Sequence, residues 1–514
     1  MSDNDEAALG GQARSHKPRR KSVMLASGTK TSDSDLFVDP ETAYLLSSTS
    51  SDKHREIIHE EAELRTPKRL LLDFANVLKS FIGSNFLGMP YAFSQAGLYG
   101  GMIGIVIIAL VTDHCCNLLV QCKNMLPDSE HVRTYGQVGV RVFGKPGRVL
   151  VDFFLAFTQL GFCVGYLIFM GQNLNSLLPA CVPYSMCVLI PVILALPLSF
   201  VKNVKKLGWT SLVADVTLIC GMAMLYSFFD LERRHQHKGF NWEGFPLFFG
   251  LVTSSYEGIG LVLPVEATMK ARPGRYARIL HSVLVFVTLL LSCFGVLGYL
   301  TFAAETNSVI TLNLPESDPV AKATKICLLI AILFTYPMQL FPVSEIFDDI
   351  LFGRRDAMPA RVVVINQQDA ASIENGAIAY NKEEAKKNSD DEADQPPPQP
   401  EPSYFDWRRN LVRIVLVLFT GLIAVLVPFF GLISGLVGAL GSSLLAFLLP
   451  ILFHLRLCWR ELRWWIRVKN FVLLAFGGLA LGVGTYYAFK DIVEELGSSL
   501  KDEFADEDFG ACFR

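Results

Sequence analysis

The sequence predicts an all-α polytopic membrane protein with eleven transmembrane helices and an inverted repeat, the first and sixth helices being broken. Three observations predict it. Hydrophobic residues make up 51% of the chain and charged residues 18%, at a mean hydropathy of +0.36. The charge is gathered into a leading tail, the loops and one linker, and the rest divides into apolar runs near the ~20 residues a spanning helix needs. Two of those runs, five spans apart, carry glycines followed by Leu-x-Pro: Leu87-Gly-Met-Pro90 in the first and Leu261-Val-Leu-Pro264 in the sixth. Paired interruptions of this kind are the sequence trace of an inverted-repeat transporter.

Residues 1–67 are polar, Ser-rich and charged, and read as a disordered cytosolic tail. Lys17-Pro-Arg-Arg-Lys21 reads as a solvated basic patch, with contact to anionic membrane lipid as the alternative. Glu41-Thr-Ala-Tyr-Leu-Leu46 has the acidic-dileucine form. Leucines exposed in a polar tail bury nothing, so Glu41, Leu45 and Leu46 are candidate contacts for sorting adaptors that direct traffic to lysosomes or vacuoles. No N-terminal signal peptide is expected, since the first apolar run begins near residue 70.

The runs fall at roughly 70–95, 98–120, 148–176, 184–201, 209–229, 245–268, 278–303, 321–349, 411–429, 432–455 and 469–489. Lysine and arginine concentrate in every loop that follows an even-numbered span, from Lys123 through Arg467. The opposite loops are poor in them except at Arg233, Arg234 and Lys238. By the positive-inside rule the N-terminus is cytosolic. An odd span count then puts the acidic tail at 491–514 in a lumen or outside the cell. Residues 68–351 would hold helices 1–8 and residues 410–490 helices 9–11. The linker between them, 352–409, is dense in acid and proline, which forbids a packed core; it reads as disordered and cytosolic.

The first break is Ile82-Gly-Ser-Asn-Phe-Leu-Gly-Met-Pro90. Glycine costs about 1 kcal/mol against alanine inside a helix, and proline removes a hydrogen bond. Unwound backbone at membrane depth is tolerated only against protein or a wet cavity. There the free N–H groups of one half-helix and the free C=O groups of the other can hold a carboxylate and a cation, the two charges of an amino acid. The second break is Ser254-Ser-Tyr-Glu-Gly-Ile-Gly260.

Ionisable groups at this depth cost about 2.5–3.5 kcal/mol each on insertion scales, so each asks for a reason. Glu257 sits directly before the Gly258/Gly260 break. It is read either as a protonatable carboxylate that couples proton binding to substrate binding, or as a permanently hydrogen-bonded carboxyl bracing the two broken helices. Asp113-His114 reads as a hydrogen-bonded gate or packing pair, with proton relay as the alternative, and Asp152 and Asp215 read as gate ion-pair partners. Lys79, one turn before Gly83, snorkels or pairs. Thr335, Tyr336 and Gln339 in the eighth run are cavity-lining candidates, although Tyr336 can simply serve the kink at Pro337. Gly431, Gly435, Gly438 and Gly441 recur at three- and four-residue steps, which is a packing face.

The 11 cysteines show no CxxC or metal spacing, and most lie inside apolar runs. Cys181 and Cys512 fall on the non-cytosolic side and could pair. No metal, cofactor or nucleic-acid partner is expected, and no catalytic residue, since no nucleophile–base pair appears.

Asn76-Val-Leu-Lys-Ser-Phe-Ile-Gly-Ser-Asn-Phe-Leu-Gly-Met-Pro-Tyr-Ala-Phe93 resembles the first helix of the amino acid/auxin permease family. It is nearest the proton-assisted amino acid transporters and the vacuolar amino acid transporters. Thr158-Gln-Leu-Gly-Phe-Cys163, Tyr256-Glu-Gly-Ile-Gly-Leu-Val-Leu-Pro264 and Ile310-Thr-Leu-Asn-Leu-Pro315 extend the likeness. It is good over about 68–350 and looser over 410–490. The resemblance implies eleven helices with a 5+5 inverted repeat, LeuT-like in fold, moving small neutral amino acids, usually with protons.

Carried over by position, Ile82, Gly83, Ser84 and Asn85 would frame the substrate with Ser254, Ser255, Tyr256 and Gly258, to which the residues themselves add Gly88 of the first break and Thr335 of the eighth run as substrate-binding candidates. Asn76 occupies a position that the resemblance ties to proton coupling, and Glu257 is the proton-coupling candidate that its depth in the sixth run suggests. Two departures matter. Animal members often carry a histidine where this chain has Asn76, which does not titrate. The first break commonly reads Gly-x-Gly, whereas here the third residue is Asn85, whose side chain narrows or re-specifies the pocket.

The expected activity is proton-coupled symport of small neutral amino acids into the cytosol, across a lysosomal, vacuolar or endosomal membrane, or alternatively the plasma membrane. The rival readings are an uncoupled amino acid facilitator, and a nutrient-sensing scaffold that binds an amino acid and recruits cytosolic partners.

Overall fold

The computed structural model describes residues 67–81, 84–179, 181–200, 204–229, 237–269, 275–352 and 407–505. The dileucine segment, most of the acidic linker and Cys512 lie outside the described residues, as do Ile82 and Gly83. Among the described residues all regular structure is helical.

The first apolar run becomes α1 (Pro67–Phe81), a 3-10 turn (Ser84–Gly88) and α2 (Met89–Ala96). There follow α3 (Leu98–Asn124), α4 (Tyr135–Leu177), α5 (Tyr184–Ser199) and α6 (Val204–Tyr226). The sixth run divides into α7 (Phe245–Ser255) and α8 (Ile259–Thr268). Beyond it lie α9 (Arg275–Phe302), α10 (Pro319–Phe352) and α11 (Trp407–Leu426). The tenth run is α12 (Phe430–Leu436), two π-helical turns (Val437–Ser442 and Leu444–Leu448) and α13 (Leu449–Cys458). The last helix is α14 (Trp464–Ala505).

Among the described residues eight helices are long and apolar enough to cross a membrane: α3, α4, α9, α10, α11, the joined α7–α8 and tenth runs, and α14 as far as Ser498. The other three expected runs hold the interrupted α1–α2 and two shorter apolar helices, Tyr184–Ser199 and Val213–Tyr226.

Local chemistry sets several boundaries. Thr134 caps α4: its hydroxyl accepts from the Gln137 N–H, and the Gln137 side chain accepts from the Thr134 N–H. α4 therefore starts well before the apolar run at 148. It bends at Gly144, where φ is +70°, a conformation glycine adopts without steric cost, and Pro146 follows. α14 is 42 residues, about 63 Å at 1.5 Å per residue, and runs through residues expected to open the acidic tail.

Helices close on one another through small residues, as they must where lipid offers no hydrophobic drive. The Phe93 ring fits between Gly101 of α3 and Gly295 of α9, and meets Phe248 of α7 edge-on at 6.2 Å. The glycine face of the tenth run packs on the sixth and first. Gly435 lies against Leu247, Gly438 against the Gly250 carbonyl and the Ser254 N–H, and Gly431 against Tyr91.

Small residues at 438–443 also let the tenth run wind as a π-helix, which spaces its hydrogen bonds more widely and leaves carbonyls to be met from elsewhere. Ser443 Oγ donates to the Gly438 carbonyl at 3.0 Å, and the buried Tyr135 hydroxyl donates to the Leu445 carbonyl at 2.8 Å. Tyr135→Phe strips that buried carbonyl of its donor. Loss of about 1–2 kcal/mol is expected, read as a lower thermal midpoint in detergent.

Candidate functional site

The two interrupted runs meet at their breaks. α7 ends at Ser255, residues 256–258 are non-helical, and α8 begins at Ile259. Across from them α1 ends at Phe81 and the 3-10 turn opens at Ser84. Asn85 Nδ2 donates to the Ser254 carbonyl at 3.4 Å, and Ser255 Oγ, 2.9 Å from the Leu251 carbonyl of its own helix, also lies within hydrogen-bond reach of the Asn85 carbonyl at 3.3 Å. On the other side Gly258 backs onto the end of α1, where a Cβ would lie 2.7 Å from the Ser80 carbonyl oxygen and 2.7 Å from the Phe81 ring. Two helix C-termini, α1 and α7, and two N-termini, of the turn-led α2 and of α8, thus border one small region. Their end dipoles favour a cation at the former and an anion at the latter.

The region is buried and polar. Asn85, Thr253, Ser254, Ser255 and Tyr256 are all buried. Asn85 Oδ1, Thr253 Oγ1 and both carboxylate oxygens of Glu257 are buried without a hydrogen-bond partner among the described residues. Such orphans are rare in folded proteins and cost about 1–3 kcal/mol each, more for a charged group. The fully buried Ser442 hydroxyl, on the π-helical part of the tenth run, lies beside the Glu257 carboxyl, the one hydroxyl among the described residues placed to donate to it, and no other group meets it. Glycine spacing alone marks that run as a packing face; the polar Ser442 and Ser443 directly after Gly441, inside an apolar run, are the signal for a further role.

The other candidates are placed less centrally. Tyr256 sends its phenol to Thr288 Oγ1 of α9 at 2.8 Å. Thr335 satisfies its hydroxyl on the Ala331 carbonyl of its own helix at 2.7 Å, and Tyr336 reaches Thr420 of α11 at 2.8 Å. Gly88 caps α2 and lies against the Phe430 ring. Asn76 is exposed on α1, its carbonyl accepting from Ser80 Oγ at 3.2 Å. For Ser84 only the backbone is described.

The breaks stand between two cavities. One, of about 450 Å³, is lined by the α2 half (Tyr91, Gln95), the start of α7 (Leu247), Gly431 and, at its mouth, Asp491 and Glu494. The other, of about 170 Å³, is lined by the α8 half (Gly260, Leu261, Pro264) and by Arg148, Asp152 and Asp349. The second is on the Lys/Arg-rich side and is crossed by ion pairs. Arg148 reaches Asp152 and Asp349, each at 3.1 Å. Outside its lining, Arg275 of α9 holds Asp73 of α1 at 2.9 Å, Lys79 meets Asp215 at 3.1 Å, and Lys123 pairs with Glu266. Asp152 and Lys79 are therefore paired, as is Asp215, whose partner is Lys79 of α1 and not a loop lysine or arginine. Asp113 finds His281 of α9, at 2.7 Å between Oδ1 and Nδ1, rather than its neighbour His114, whose Nε2 has no partner among the described residues.

Residues 71–490 match the family described as "Transmembrane amino acid transporter protein". The amino acid transporter ANT1 of Arabidopsis thaliana is 28% identical over 435 residues, covering 81% of this chain and 91% of that protein. The amino acid transporter AVT3C of the same plant is 29% identical, over 82% of this chain and 90% of its own length. The vacuolar amino acid transporter 4 of Saccharomyces cerevisiae is 28% identical over 74% of this chain, which spans about half (52%) of the yeast protein. Among solved structures, a manganese transporter of Eremococcus coleocola covers 84% of this chain and 93% of its own at 12% identity, with a TM-score of 0.45. The family match spans most of the chain and the relatives carry transporter names, not enzyme names: the chain belongs to the transmembrane amino acid transporter, or amino acid/auxin permease, family.

Proposed function

We propose that the protein is a secondary active transporter of small neutral amino acids. It takes its substrate between the two broken helices and moves it into the cytosol together with a proton held by Glu257. The observation that carries this is the meeting of Asn85 with Ser254 and Ser255 beside a buried carboxyl, at the junction of four half-helix ends. Free backbone groups there suit a zwitterion: N–H groups of the turn-led half-helices for its carboxylate, C=O groups of α1 and α7 for its ammonium.

In this reading the chain has eleven spans in two five-helix inverted repeats with α14 outside them. The Lys/Arg-rich ends are cytosolic. The larger cavity is then the lumenal entry and the ion-paired side the closed exit. Vacuolar relatives support an acidic organelle as the location. There a proton gradient points toward the cytosol, and Glu257 can load from the lumen. The exposed, non-titrating Asn76 leaves Glu257 as the proton carrier of the pair.

The test is flux in reconstituted vesicles over a panel of amino acids, with and without an imposed pH gradient. Uptake of small neutral substrates that follows the gradient supports the reading, and flux that ignores it favours an uncoupled facilitator. Asn85→Gly removes the bond to the Ser254 carbonyl and restores the bare Gly-x-Gly backbone. A wider substrate range is expected, with larger side chains gaining several-fold in uptake relative to the smallest.

A further inference from the structure

The hairpin joining the tenth and eleventh runs carries Arg456, Arg460, Arg463, Arg467 and Lys469 against a single acid, Glu461. Several basic residues on the same side of the molecule are neutralised within the fold. Lys79, Lys123, Arg141, Arg148, Arg275 and Arg409 each face a carboxylate of the chain itself. Arg456, Arg460 and Arg463 are exposed and meet no carboxylate among the described residues. Three like charges on one short hairpin, at the end of two membrane runs, call for counter-charge from outside the fold.

The hairpin is built, not loose. Glu461 and Leu462 N–H groups both bond the Cys458 carbonyl, at 2.9 and 3.1 Å, which turns the chain in a few residues. Arg467 donates to the Trp459 carbonyl at 2.6 Å and lays its guanidinium over the Trp459 ring, 4.9 Å from the centroid. Beneath it the buried Asn470 amide and His454 ring meet at 3.0 Å and tie α14 to α13. Trp459, Trp464 and Trp465 stand 47%, 75% and 51% exposed beside the arginines. Tryptophans that leave about half or more of their surface exposed, next to unpaired guanidinium groups, fit the headgroup layer of a bilayer, where one end is greasy and the other wet.

We propose that this hairpin is a binding site for anionic phospholipid headgroups. The guanidinium groups of Arg456, Arg460 and Arg463 would hold lipid phosphate and carboxylate oxygens, and the three tryptophans would set the depth. Clusters of unpaired basic residues immediately beside a membrane helix attract anionic lipid in this way.

The test uses the full chain reconstituted into bilayers and the fluorescence of its 6 tryptophans, half of which lie in the hairpin. Brominated phosphatidylserine is expected to quench more strongly than brominated phosphatidylcholine at equal mole fraction, and added salt should narrow the difference. Replacing Arg456, Arg460 and Arg463 together by glutamine should lower the serine-over-choline preference on the order of fivefold. Arg141→Gln, which opens the ion pair with Asp128, should leave it unchanged. Glu461→Gln should raise it, an outcome that misfolding would not produce. An unchanged preference in the triple variant overturns the proposal. So does displacement of the brominated lipid by water-soluble inositol hexakisphosphate at equal charge, which would assign the hairpin to a soluble polyphosphate.

Discussion

Glu257→Gln is expected to remove the pH gradient's hold on transport. One proton per amino acid lets a gradient of one pH unit, about 1.4 kcal/mol, sustain about tenfold accumulation. The glutamine variant should fall to the level seen without a gradient, yet retain exchange of labelled for unlabelled amino acid, because exchange moves no net proton. The geometry explains why this one carboxyl is singled out. Both of its oxygens are buried and neither forms an ion pair among the described residues, and it sits at the gap between α7 and α8, the backbone that would touch substrate. The ion-paired carboxylates, Asp73, Asp152 and Asp215, already hold a cation and are poor candidates to exchange a proton each cycle. Accumulation in the variant that still follows the gradient would assign the proton to another group. Loss of both accumulation and exchange would make Glu257 a brace for the broken helices instead.

The second large effect is expected at Gly438. Its backbone lies so close to α7 that an added Cβ would overlap the Gly250 carbonyl oxygen and stand 2.9 Å from the Ser254 amide nitrogen. Both neighbours are backbone, so neither can swing aside as a side chain does. Gly438→Ala must push the tenth run away from the helix that carries Ser254 and Ser255. Overpacking of this kind costs about 1–3 kcal/mol, and here it also displaces the backbone that would bind substrate. Transport should fall at least roughly tenfold, together with the thermal midpoint. Gly478→Ala on α14, where nothing lies within 4 Å, is the matched control and should behave as the parent protein.

What could be read from the chain was what depends on neighbours in sequence. Glycines followed by Leu-x-Pro mark interruptions because they act on the local helix: α1 ends at Phe81 with a 3-10 turn opening at Ser84, and residues 256–258 are non-helical. The small-residue steps at 431–441 reveal a packing face for the same reason, and the face does pack on α7. Asp152 found its partner one helical turn away in Arg148, a pairing that spacing alone suggests.

The rest depends on what the fold brings from far along the chain. Nothing near Glu257 announces Ser442, and nothing near Asp113 announces His281. The π-helical winding of the tenth run depends on distant donors such as Tyr135 as much as on its own residues. Tyr256, adjacent to the break in sequence, turns its phenol to α9 instead, because a hydroxyl on Thr288 is within reach there. Sequence proximity to a site and contribution to it are different things wherever a side chain can point either way.

The most direct measurement is a density map of the protein in a lipid disc with a small neutral amino acid at saturating concentration. The account predicts one zwitterion-sized feature between Asn85 and the 254–258 segment, its carboxylate toward the α2 and α8 ends and its ammonium toward those of α1 and α7. A map in which residues 82–88 or 256–258 form unbroken helix, or in which the amino acid binds away from both segments, would contradict it.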